Sequence, residues 1–495
     1  MTGQHQHQHQ PWKPHAIMIS VPYQGHINPF VNLALKLASR DIVVTFVHLE
    51  YVHHKLSSKP SQNTPPTATA PQSQLFSQAR QSGLDIRYTT ISDGFPVEFD
   101  RDLHIDEYWH SLLHDFPGLV DQFVGNLIRS SSSVDPCLKH FLVADTVYSW
   151  PANVARNHNL MYVSFWTEPA LVFSLCYHWD IVKEKGHHSC NDNQTDVEIN
   201  YLPGIRPISW KDLMSYFKEE GSTIAVGLPR AFRGVKTAGD FILHNTVHEL
   251  ESETLSILSK YHPTYAIGPI NFSKGLPKDT TSQSLWSESD CTQWLDSKSP
   301  GSVLYISFGS LVQIPKQVME EIAYGLVLSG VNFIWVVRTG LVSHGDQDNN
   351  VLPDGYEDAI KDQGLLIPWC NQLNVLSNPA VGGFLTHCGR NSIVESMWHG
   401  VPLLCYPVTW DQPTNRKLVV DDWKIGINLC DGTVVDRKEV ADTIKGFMYG
   451  ENSDKLRREV SWVKETMRKA MENDGSSEMN FDQFVKDLMG KIVGK

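Results

Sequence analysis

The sequence has no Cys-x-x-Cys pair and no cysteine and histidine ladder at zinc-binding spacing, although it contains eight cysteines. A structural metal is therefore not expected, and scattered thiols of this kind suit a reducing, cytoplasmic compartment. There is also no apolar run near the ~18 residues that cross a bilayer, and no apolar segment ahead of a cleavage site, so no integral membrane association is expected. Basic residues are in deficit: 42 Lys and Arg against 55 Asp and Glu leave a net charge of -13, with no dense basic run. Nucleic acid is not an expected partner, since a phosphate backbone needs a basic face. Neither GxGxxG nor GxxxxGK[ST] occurs, which removes the best sequence support for a dinucleotide oxidoreductase or a P-loop NTPase.

What is present is a large globular chain. Its 495 residues exceed the roughly 250 to 300 at which a single core stops growing, so two domains are expected. Hydrophobic residues make up 41% and charged residues 20%, enough apolar content for large cores.

The Gln/His alternation at the start reads as part of a disordered tail over residues 1–14. The first strand is expected from His15, followed by Tyr23-Gln24-Gly25, His26, and a helix from about Pro29, where proline suits a first turn. A second strand at 42–49 continues a βαβ rhythm, and the Ser/Pro/Thr-rich stretch from Ser57 to Gln74 reads as a surface loop. The run Phe141-Leu-Val-Ala-Asp145 is a strand that stops on a carboxylate. In open α/β sheets ligands gather at the carboxyl ends of strands, and both His26 and Asp145 fall at such ends.

A strand at 160–165 leads into aromatics from Phe165 to Trp179; these read as core before they read as a pocket wall. Residues 183–200 read as a loop, and the polar stretch 273–290 as the interdomain linker. Beyond it, apolar strands near 302–308, 331–337, 364–369, 381–387 and 401–406 alternate with helices. Both halves thus read as doubly wound parallel sheets: 15–272 and 291–478, with a terminal helix over 479–495 packing back on the first half.

The stretch from Trp369 to Gln412 carries the chemistry. Its strand 381–387 runs through Cys388-Gly389 into a helix beginning about Asn391-Ser392. A helix N-terminus offers unpaired N–H groups and a positive dipole end, and glycine permits close approach, so a diphosphate fits there. Ser392 and Glu395 also match S-x-x-E, so a capping box is the competing structural reading.

This stretch resembles the C-terminal signature of plant family 1 UDP-sugar-dependent glycosyltransferases, which have the two-Rossmann GT-B fold, two domains facing a cleft. The resemblance extends to the VPYQGHINP start, the ISDGFP segment, the Asp145 strand and the SFGS turn. It implies that Trp369 stacks on uracil with Gln372 beside it and that Glu395 takes the ribose hydroxyls. Ser310, His387, Asn391 and Ser392 would hold the diphosphate, and Asp411 and Gln412 the sugar hydroxyls. His26 would be the general base and Asp145 its orienting partner, in a single displacement with inversion. The physics suits these roles: base stacking on an aromatic is worth ~1 to 3 kcal/mol, and a carboxylate can accept from both hydroxyls of a diol. No metal or other cofactor is implied; the UDP-sugar is a co-substrate. The other partner is a small lipophilic plant metabolite bearing a hydroxyl, and a monomer is expected.

One position departs from the pattern. Where the family usually has HCGWNS, this chain has His387-Cys-Gly-Arg390-Asn-Ser. Arginine is suited to bidentate carboxylate recognition, which would favour glucuronate as the sugar; otherwise the side chain would point to solvent or phosphate. Gln412 resembles the glucose users, and glucose is placed ahead of glucuronate. A non-catalytic UDP-sugar-binding protein of the same fold is the alternative reading.

Overall fold

The computed structural model of the chain describes residues 12–57, 75–101, 103–186, 197–219, 223–275, 288–342, 351–430, 432 and 434–494. The tail expected over residues 1–14 lies outside these up to residue 11, while Lys13 and Pro14 already belong to the first strand. Residues 58–74 and most of the linker expected at 273–290 also lie outside them.

The first half contributes β1 (Lys13–Ile19), β2 (Val43–Leu49), β3 (Ile86–Ile91), β4 (Leu138–Asp145), β5 (Met161–Trp166), the short pair β6 (Glu198–Ile199) and β7 (Ile208–Ser209), β8 (Phe241–His244) and β9 (Thr264–Ala266). All but the short pair form a parallel sheet in the order β3-β2-β1-β4-β5-β8-β9. The β6 and β7 pair lies partly in the 183–200 segment that reads as loop, too short to leave a periodic signal. The second half contributes β10 (Val303–Ser307), β11 (Asn332–Val336), β12 (Gly364–Ile367), β13 (Val381–Thr386), β14 (Leu403–Cys405) and β15 (Gly426–Asn428), parallel in the order β12-β11-β10-β13-β14-β15. The three-residue β15 was not expected; its Gly-Ile-Asn has a single large apolar residue.

Near-continuous apolar strands suit sheets covered on both faces. In β10 and β11 the alternation is clean: Val303, Tyr305, Ile334 and Val336 join the large core shared with the first half, whereas Leu304, Ile306, Phe333 and Trp335 pack with Met319 and Ile322 on the outer face. In each sheet the order reverses at the centre, between β1 and β4 and between β10 and β13, and the loops leaving these strands diverge to open a crevice. The two crevices face each other.

The first helix runs Gln24–Ala38, earlier than the Pro29 start that its sequence suggests. Extended Tyr23 lends its carbonyl to the N–H groups of His26 and Ile27, both at 2.9 Å, so His26 lies inside the first turn rather than ahead of the helix. Pro29 then falls in the helix interior, where its missing N–H leaves the Gly25 carbonyl without its i+4 donor. Asn391 Nδ2, from the other half, approaches that carbonyl at 3.4 Å.

The terminal helix begins at Ser476 and runs to Val493, with Phe481, Phe484 and Leu488 fully buried. Its Glu478 pairs with buried Lys36 of the first helix at 2.6 Å, and its Asp487 accepts from Tyr265 of β9 at 2.6 Å. Among the described residues no helix is long and apolar enough to cross a membrane.

Candidate active site

His26 and Asp145 leave adjacent strands of the first sheet, and the structure brings them together: His26 Nδ1 is 2.7 Å from Asp145 Oδ2. Asp145 is wholly buried, and its Oδ1 accepts from the backbone N–H of Val147 at 3.1 Å. Because Nδ1 faces a carboxylate it carries the ring proton, which leaves Nε2 bare toward the cleft as an acceptor. Burial lowers the His26 pKa, but the charge and hydrogen bond of Asp145 outweigh it, Asp411 adds to them, and the net shift is upward. Thr167 Oγ1 stands 3.2 Å from the same Nδ1, a contact that sequence reasoning missed.

Across the cleft, the helix Arg390–His399 is capped by Gly389 and presents Arg390, Asn391 and Ser392 as its first three residues. Ser392 is thus the third residue of the helix, not its cap, and the capping-box reading fails. Instead Gln372 organises this end: its Nε2 donates to Glu395 Oε2 at 2.7 Å and to Ser392 Oγ at 3.1 Å, while its Oε1 accepts from Tyr305 at 3.2 Å. Burial pushes the Glu395 carboxyl up to about 7, and the Gln372 hydrogen bond opposes that rise.

The His387 ring is wedged between two glycines. A Cβ on Gly309, whose φ is +73°, would come within 2.6 Å of the imidazole, and one on Gly389 within 2.4 Å. Burial lowers the ring to about 4, opposed by a hydrogen bond to the Ser307 backbone, so it is neutral and carries a single N–H. Ser310 lines the cleft beside it, on a turn that Arg338 holds by donating to the Gly309 carbonyl at 2.8 Å and to that of Val312. Sequence reasoning did not single out Arg338.

Trp369 lines the cleft half-buried, its carbonyl taken by Ser289 at 2.8 Å, so the end of the linker is tied down there. Asp411 and Gln412 follow Trp410, which adopts a left-handed backbone at φ 57°. Such strain persists only where the surroundings hold it. Here Ser215 of the first half holds it, its N–H donating to the Trp410 carbonyl and its Oγ accepting from the Trp410 N–H, both at 2.8 Å. Gln412 Oε1 accepts from the N–H groups of Val408 and Thr409 at 2.9 and 3.0 Å, so any ligand contact falls to its NH2 group.

Arg390 corrects an expectation. It points neither to solvent nor to phosphate: it is 6% exposed and crosses to the first half, where Nη2 donates to the Asn245 carbonyl at 3.1 Å and to Thr246 Oγ1 at 3.2 Å. The lower helix face therefore grips the end of β8. Burial depresses its pKa against the nearby charges of Glu251, Glu168 and Asp411. Glu168, two residues beyond β5, lines the same cleft and was missed.

The apolar end of the cleft is walled by Ile105, Trp109, Trp166, Val172, Ile224 and Leu228. Of the aromatics from Phe165 to Trp179 only Trp166 reaches it, joined by Trp109 from the helix Ile105–His114. Trp150, Phe165, Phe173, Tyr177 and Trp179 are core, Trp179 lying flat on Phe217 at 3.7 Å between ring centroids. Among the described residues no cluster of three or more His, Cys, Asp or Glu could hold a metal ion.

Known proteins resemble this chain in sequence and fold. Residues 265–458 match a family model described as UDP-glucoronosyl and UDP-glucosyl transferase. UDP-glycosyltransferase 86A1 of Arabidopsis thaliana is 47% identical over 490 residues, covering 98% of this chain and 96% of that protein. The 7-deoxyloganetin glucosyltransferase of Gardenia jasminoides is 33% identical over 97% of this chain and 99% of its own. Among solved structures, a UDP-glucose: anthocyanidin 3-O-glucosyltransferase in complex with UDP superposes with a TM-score of 0.77 at 23% identity, covering 95% of this chain and 98% of that one. A Medicago truncatula protein complexed with UDP-glucose gives 0.76 at 22% identity, over 96% and 98%. At that identity the structures speak to the fold, which is GT-B.

Proposed function

This chain belongs to the plant family 1 UDP-glycosyltransferases and is a glycosyltransferase enzyme, and from that premise we propose that it moves glucose from UDP-glucose to a hydroxyl of a small lipophilic metabolite, with inversion. The observation that carries this reading is the His26 and Asp145 pair, 2.7 Å apart, facing the N-terminus of helix Arg390–His399 across the cleft.

The acceptor hydroxyl gives its proton to His26 Nε2 as its oxygen attacks the anomeric carbon from the side opposite UDP. Asp145 holds the ring and stabilises the imidazolium that forms. The departing diphosphate gathers negative charge, which suits the unpaired N–H groups of the helix N-terminus together with His387, Asn391, Ser392 and Ser310. Trp369 offers a face for uracil, and Glu395, aimed by Gln372, accepts from the ribose hydroxyls. Asp411 and the Gln412 NH2 group take sugar hydroxyls. The apolar wall with Trp109 and Trp166 supports a lipophilic acceptor. None of the seven cysteines among the described residues forms a disulfide, and five of them are buried, which supports a reducing, cytoplasmic setting.

Glucose is favoured over glucuronate because Arg390 already spends Nη2 on the first half and stands among three carboxyl groups. The intact base pair argues against a purely binding protein. The test is UDP release from UDP-glucose with a panel of phenolic and terpenoid alcohols. In His26→Ala, release should collapse while UDP binding persists; undiminished turnover would remove His26 from its role.

A further inference from the structure

Glu168 enters the cleft from the loop between β5 and the helix Ala170–Tyr177, opposite Asp411 of the other half. Its Oε2 is buried and has no hydrogen-bond partner. Arg390 is the second unsatisfied group at this spot: it is almost wholly buried and lines the cleft, and its Nε and Nη1 also lack partners. A buried polar atom without a partner costs about 1 to 3 kcal/mol, so two such groups aimed into one cavity imply a ligand that completes them. What they ask for is specific. The carboxyl oxygens need O–H donors, the guanidinium needs a neutral oxygen acceptor, and a polyol supplies both from each hydroxyl. A carboxylate would satisfy Arg390 but would stand beside Glu168 and Asp411.

We propose that Glu168, standing opposite Asp411 across the cleft, is a ligand for the hydroxyls of the donor hexose and sets the preference for a neutral hexose over a uronic acid. This rests on the glucose-donor reading above. Burial and the neighbouring Asp411 hold the Glu168 carboxyl well above its ordinary range, an environment that sugar hydroxyls donating to it would relieve. Because Glu168 comes from the first half and Asp411 from the second, one sugar would bridge the two domains.

The test is calorimetric binding of UDP, UDP-glucose and UDP-glucuronate to the full chain, in the wild type, Glu168→Gln and Glu168→Ala; no acceptor is needed. UDP should bind all three proteins within about twofold. The affinity ratio of UDP-glucose to UDP-glucuronate should fall about tenfold or more in Glu168→Ala, with Glu168→Gln between, as expected for hydrogen bonds to a carboxyl group. An unchanged ratio with UDP binding intact would overturn the proposal. So would an equal loss for all three ligands, since that marks a structural residue. If the wild type prefers UDP-glucuronate, the glucose reading fails by itself. In that case Glu168 remains a ligand only if the preferred sugar loses its advantage over UDP in the alanine variant.

Discussion

Asp145→Asn separates orientation from bulk at the proposed base. The substitution keeps the shape of a wholly buried side chain. The Val147 N–H donates to Oδ1 at 3.1 Å and will keep the amide oxygen of the variant on that side. The amide nitrogen must then face His26 Nδ1, where the carboxylate stood at 2.7 Å. Two donors cannot face each other, so His26 moves its proton to Nε2 and presents N–H, not a lone pair, to the acceptor hydroxyl. Properly oriented general bases contribute about 10²- to 10⁴-fold, so kcat should fall by about that factor. Loss of the Asp145 charge also removes the main cause of the raised His26 pKa. In the wild type, activity should rise with pH through a His26 pKa above 6.5, because the base works deprotonated; in the variant that limb should move to lower pH. The assay is UDP release against pH with any acceptor the wild type turns over, beside calorimetric UDP affinity, which should stay within about twofold. A variant keeping more than about half of the wild-type kcat would refute the orientation argument.

Other outcomes follow from the same geometry. With Glu395 at about 7, its ionised, diol-accepting form grows as pH rises, so UDP should bind about tenfold more tightly at roughly pH 8 than at pH 6. Glu395→Gln should flatten that dependence in calorimetric titrations, beyond whatever UDP itself contributes. Ser215→Ala removes the acceptor of the Trp410 N–H, a loss of about 1 to 3 kcal/mol, and releases the left-handed turn before Asp411. The KM for UDP-glucose should rise severalfold while UDP affinity changes little; an unchanged KM would show that Trp410 holds its conformation unaided. Glu478→Ala leaves Lys36, 2% exposed, without its 2.6 Å partner, and should destabilise the fold by roughly 3 to 5 kcal/mol in urea. Lys36→Met combined with Glu478→Leu should recover most of that stability, and a double variant as weak as the single would show that the charge pair itself is needed.

Legibility in the sequence followed the strength of the apolar run. The apolar runs behind the main strands of both sheets were readable, short ladders such as β14 included, whereas β15 and the separate β6 and β7 pair were not. Asp145 stood out because an apolar run ended on a charge. The same rule applied to the run ending at Trp166 would have flagged Thr167 and Glu168, but the surrounding aromatics drew attention to packing instead. Pro29 misled in the other direction: proline favours a first turn, yet Tyr23 began the helix earlier and left the proline to expose the Gly25 carbonyl.

By itself the sequence determined the α/β class, the two-domain division and the presence of a glycine-led helix start after the strand ending near His387, because each rests on local periodicity or on residues adjacent in the chain. Tertiary structure alone decided what depends on distant parts meeting. It pairs His26 with a carboxylate from another strand, turns Arg390 away from solvent onto residues 245–246, and sets Glu168 against Asp411. A side chain's partner is chosen by where two sheets open toward each other, and no window along the chain contains that information.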